Sequence, residues 1–153
     1  MKKLILTLCI VSSLMQANEK LIEENESWRL IALIDDFSDK VTCHMLSKIS
    51  SDDDLASLVI QNINTNDSKI RMLAGKFIGK EITYRVDKNE SKILKKFIIN
   101  NKEYKEMIEA LKKGEILKIK VVPENSYANT EQNTIFLKDF EKLYNLAKTC
   151  NYK

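Results

Sequence analysis

One histidine, one proline, one tryptophan and three glycines in 153 residues leave several chemistries without raw material. His44 would need a nucleophile and an orienting group beside it to act as a general base. No nucleophile-elbow sequence is present, and strand alternation sends His44 to the face opposite its neighbour Cys43. It reads as an ordinary strand residue. His44 next to one of two late cysteines gives no standard zinc ligand spacing, so no metal site is expected. Gly75, Gly79 and Gly114 stand apart from any glycine-rich run, so no phosphate-cradling loop and no cofactor is expected. The acidic runs Asp35, Asp36, Asp39 and Asp52 to Asp54 lack the alternating oxygen ligands, central glycine and closing glutamate of an EF-hand. They read as solvated turns. Nothing selects a carboxylate pair of the glycosidase kind. Low proline removes any linker, no internal repeat is visible, and the length suits one domain.

A leader is written at the start of the chain. Met1-Lys2-Lys3 precedes the apolar stretch Leu4 to Val11, and Ser12, Ser13 and Ala17 supply small residues near a cut after Ala17. Residues 1–17 are expected to be a secretory signal peptide. The apolar stretch is too short for a permanent span, so no stable membrane insertion is expected once it is removed. Losing Lys2 and Lys3 lowers the formal charge from +3 to +1. That leaves no electrostatic case for nucleic acid. Cys9 leaves with the leader, and an even count of two cysteines in an oxidising compartment favours a bridge between Cys43 and Cys150. Two unpaired buried thiols are the alternative.

Residues 18–27 are polar and acidic and are expected to be a flexible lead-in to a single domain over 28–153. Runs 28–34 and 41–46 flank turn chemistry and predict a hairpin. Runs 58–63 and 70–73 flank Asn64-Thr65-Asn66-Asp67-Ser68 and predict a second hairpin. Gly75 and Gly79 point to a bulge or bend. Residues 81–87 alternate cleanly, with Ile82, Tyr84 and Val86 on one face and Glu81, Thr83 and Arg85 on the other. Residues 93–99 read as one more strand. Tyr104, Met107, Ile108 and Leu111 carry a helical stripe that Gly114 stops. Leu117, Ile119 and Val121 then face inward, with Lys118 and Lys120 outward, as far as Pro123. A closing strand from Asn133 leads to a helix whose stripe is Phe140, Leu143, Tyr144, Ala147 and Cys150. The expected fold is α+β: a mainly antiparallel sheet, open or sandwich-like, two helices in the C-terminal half, and one closing disulfide.

Candidate contact residues are few. Tyr84, Arg85 and Asp87 lie where a charged strand enters a turn. Tyr127 sits in the polar loop 124–132, a segment suited to plugging another protein's site. The lysine pairs, Lys118 and Lys120 included, read as a solvated, edge-protecting set. Asn25-Glu26-Ser27 and Asn89-Glu90-Ser91, each with an acid two residues upstream, resemble an extended glycosylation sequon and mark surface positions.

The order of elements carries a resemblance. Trp28, the 58–60 strand, Tyr84-Arg85-Val86-Asp87, the run 117–123, and Phe136-Leu137 entering a helix with a late cysteine resemble small secreted accessory proteins of type VI secretion, the VasI/TagO kind. Invasion-associated locus B proteins are a second, vaguer likeness. The first cysteine departs from that pattern, falling in the 41–43 strand. The resemblance implies a non-enzymatic envelope role and brings no catalytic residues. The expected function is therefore that of an exported periplasmic or secreted binding protein with an envelope protein as partner. An exported inhibitor or immunity protein is the alternative, and an unrecognised hydrolase is a third reading.

Overall fold

A computed structural model describes residues 17–48, 56–74, 77–95, 98–99, 101–125, 127 and 129–150. All of the expected leader except Ala17, the Asp52 to Asp54 run and Gly75 lie outside the described residues. The fold is α+β. Its strands are β1 (Ala17–Glu24), β2 (Trp28–Asp35), β3 (Val41–Ser47), β4 (Ala56–Gln61), β5 (Lys69–Ala74), β6 (Phe77–Val86), β7 (Lys92–Leu94), β8 (Ile98–Ile99), β9 (Ile116–Pro123) and β10 (Glu131–Phe136). Helices α1 (Asn101–Lys113) and α2 (Phe140–Lys148) both fall in the C-terminal half.

Every strand pairing is antiparallel, in the order β1-β2-β3-β4-β5-β6-β9-β10, with β7 added to β6 and β8 to β5. The long strand β6 divides the ladder in two. Its start pairs with β5 in the first sheet, and its remainder pairs with β7 and β9 in the second. The hinge is where the glycine was expected to act: the register shifts between Gly79 and Glu81. A Cβ at Gly79 would stand 2.6 Å from Val121 Cγ1, so only a bare backbone lets β6 and β9 approach there.

The two early hairpins form as expected, β2 with β3 and β4 with β5. Two readings are corrected. The lead-in 18–27 is mostly strand β1, paired with β2 from Ala17↔Asp35 to Glu24↔Arg29. Its alternation is broken by a register shift between Leu21 and Glu23, and its charges are those of an edge strand. The single strand expected over 93–99 is two short ones, β7 on the second sheet and β8 on the first.

The core lies between the two sheets and under the helices. Trp28, Leu30 and Ala32 of β2 and Cys43 and Met45 of β3 face it, fully buried. Leu58 and Ile60, Ile70 and Met72 continue the same face, and Ile82, Val86, Leu117, Ile119 and Val121 line the opposite wall. Each fully buried aliphatic side chain is worth about 1.5–3 kcal/mol relative to exposure. Helix α2 lays Phe140, Leu143, Tyr144 and Ala147 onto this core, the stripe read from the sequence. Phe140 meets the Trp28 ring edge-on at 5.1 Å, and Tyr104 of α1 meets Tyr144 hydroxyl to hydroxyl at 3.1 Å.

Cys43 and Cys150 form a disulfide, their Cα atoms 6.4 Å apart. Asn64 holds the surrounding chain: its Oδ1 accepts from the Cys43 N–H, and its Nδ2 donates to the carbonyls of Val41 and Cys150. The bridge and Asn64 together anchor Cys150 to β3 through a covalent and a hydrogen-bonded link.

Candidate binding face

Alternation along β6, β9 and β10 puts one set of side chains into the core and the other onto an outer surface. The register then decides which outward residues meet. Thr83, Lys120 and Gln132 stand in one row across the three strands. Arg85, Lys118 and Thr134 stand in the next, and Ile116 and Phe136 follow in a third. Ser91, from the turn before β7, borders the same surface. All of these except Ile116 line a shallow concavity of about 650 Å³.

The charge on this face is one-sided. Arg85 and Lys118 lie directly opposite on neighbouring strands, a like-charge pair that opposes pairing instead of favouring it. Lys120 is two residues along β9, about 6–7 Å further on. All three are exposed, and among the described residues none of the three forms an ion pair with a carboxylate. Glu81, paired with Val122, lies one row beyond Lys120 and bounds the basic area. Phe136 is 58% exposed at the opposite end, an aromatic left uncovered beside the cations.

The residues picked from the sequence separate on this map. Arg85 is at the centre of the face. Tyr84 borders it through its place on β6, but its ring belongs to the buried core, where burial pushes its phenol up, with Glu103 and Glu106 adding to the effect. Asp87 is engaged within its own turn. Its carboxylate accepts the N–H groups of Glu115 and Ile116 at 2.9 and 2.8 Å, and its backbone takes φ 54° to make the turn. Tyr127 is 96% exposed in the β9–β10 loop and does not line the concavity. Lys118, Lys120, Thr83, Gln132, Thr134 and Phe136 were not singled out as a site. Each looks like an ordinary outward strand residue until the register places it beside Arg85.

His44 lies elsewhere, buried opposite Ile31 on β2. Its Nε2 is 3.0 Å from Thr42 Oγ1. Burial, helped by the charge of Lys69, pushes it down to about 4, so it is neutral near pH 7. Of the two sequon asparagines, Asn89 is exposed, and Asn25 is half-buried with its Oδ1 accepting from the N–H groups of Ser27 and Trp28. Among the described residues there is no cluster of three or more metal-ligating side chains, and no helix is long and apolar enough to cross a membrane.

Comparison with protein-family models, with curated proteins and with solved structures finds no match to this chain.

Proposed function

We propose that this chain is an exported binding protein of the bacterial envelope that acts by contact with a partner protein, without catalysis, through the outer face of β6, β9 and β10. The observation that carries the reading is the unneutralised set Arg85, Lys118 and Lys120. A fold has no stability reason to place like charges opposite one another, and a partner's acids would convert that cost into affinity. Export is supported by the leader pattern of residues 1–17 and by the Cys43–Cys150 bridge, a linkage of oxidising compartments. The likeness to type VI accessory proteins supports the envelope setting.

A second reading, inhibitor or immunity protein, is favoured by one observation. Tyr127 stands almost wholly in solvent on a loop joining two paired strands, which is how a rigid scaffold presents a plug. Photo-crosslinking residues placed singly at Thr134 and at Tyr127, in cells, separate the two. Capture through position 134, lost when Lys118 and Lys120 become glutamate, fits the face. Capture through position 127 alone fits the plug. Hydrolysis of peptidoglycan or of a panel of esters by the purified chain, abolished by a point substitution, overturns both.

A further inference from the structure

We infer that the outer face of β6, β9 and β10 takes an extended acidic segment of the partner protein, with an apolar residue and two carboxylates at alternate positions. This deepens the reading above by naming what the face binds. The spacing of the face sets the pattern. Phe136 with Ile116, Arg85 with Lys118, and Thr83 with Lys120 form three successive rows two residues apart. Each step is about 6–7 Å, the distance between same-side residues of an extended chain. An apolar side chain on Phe136 therefore places the next same-side carboxylate between Arg85 and Lys118. Arg85 can hold it through two parallel N–H donors while Lys118 supplies a point charge. The following same-side carboxylate falls on Lys120, with Gln132 and Thr83 in the same row to donate hydrogen bonds. Glu81, one row beyond, disfavours a third acid there.

The geometry favours carboxylates on a chain over a single phosphate. The cations are spread along a strand, and the main-chain N–H groups of β9 between its neighbours β6 and β10 are spent in the ladder. No cradle of backbone donors surrounds one point, which is what phosphate sites use.

The test uses the disulfide-bonded chain beginning at Asn18 and fluorescent eight-residue peptides. One carries leucine and two glutamates at alternate positions. A second has glutamines for the glutamates, and a third has the same composition with its glutamates adjacent. The first is expected to bind, more weakly as salt rises, and at least tenfold more tightly than either control. Arg85→Glu and Lys118→Glu are each expected to weaken it tenfold or more with Tm unchanged or raised, since each places opposite charges across β6 and β9. Equal binding of all three peptides overturns the proposal, as does tighter displacement by inorganic phosphate or by anionic vesicles. If position 134 still captures a partner in cells while the alternating peptide fails to bind, the acidic-segment assignment falls and the contact face stands.

Discussion

His44 gives the clearest residue-level consequence. The folded protein holds it at about 4, whereas an unfolded chain releases its proton near 6.5. Between those values the unfolded state binds the extra proton, so stability rises with pH across that window. The contribution of neutral His44 is complete above about pH 6.5 and is lost as pH falls towards 4, to the extent of about 3 kcal/mol. The urea midpoint of the native protein is expected to drop between pH 7 and pH 4.5, and His44→Gln should flatten that dependence. An unchanged pH slope in the variant would show that other groups drive it. Asn64 makes the companion case. Its amide satisfies the Cys43 N–H and the Val41 and Cys150 carbonyls, yet in the sequence it is one more polar residue in a turn. Asn64→Ala should cost about 2 kcal/mol by equilibrium urea unfolding. A loss below about 0.5 kcal/mol would mean that water replaces the amide without penalty.

Elements divide into those whose cause is local and those whose cause is not. The stripe of α2 and the turn signals of the two early hairpins are local, and they were legible in the sequence. So was Gly114 as the end of α1, though its role is spatial. A Cβ there would stand 2.2 Å from Val86 Cγ1 and 3.1 Å from the Ala110 carbonyl. Gly114→Ala should therefore destabilise by about 1–3 kcal/mol, which thermal unfolding would register. Strand β1 was not legible because its bulge interrupts the alternation and its residues are largely charged. The split of 92–99 into β7 and β8 depends on which sheet each half reaches. The candidate face was legible only in part for the same reason. Arg85 was visible, but its meeting with Lys118 depends on register between strands separated by a helix. The disulfide is an element-level link between β3 and Cys150, two residues beyond α2. It closes a separation of 107 residues, worth about 4–5 kcal/mol by loop-entropy arithmetic. Cys43→Ser with Cys150→Ser, or reduction under native conditions, should lower the urea midpoint accordingly, and no change would place the C-terminal link in the non-covalent contacts alone.

At the scale of the whole molecule, the ladder of described strands ends at β1 and at β10, and an open edge at β10 beside the proposed binding face invites association of the wrong kind. Side chains cover two main-chain groups of that edge. The Leu137 N–H reaches the Glu115 carbonyl across the ladder, so by alternation the main-chain groups of Thr134 and Phe136 point to the open side. The Phe136 carbonyl is taken by the Trp28 indole N–H at 2.9 Å, and the Thr134 N–H by the Asn133 Oδ1 at 2.6 Å. The Asn133 Nδ2 then donates to the Ala56 carbonyl at the start of β4, tying the last strand of the second sheet to the first. One buried amide thus serves both the junction of the sheets and the blocking of the edge. Asn133→Ala should leave the Ala56 carbonyl without that donor, at a cost of about 1–3 kcal/mol, and should bare the Thr134 N–H. Light scattering after size exclusion is expected to show the variant associating as concentration rises, under conditions where the native chain does not. A destabilised variant that showed no greater association than the native chain would assign Asn133 to the junction and leave the edge protected by some other means. A contact face that recognises a partner by its charges requires this separation, because strand addition at β10 would compete with it by backbone hydrogen bonds that read no sequence.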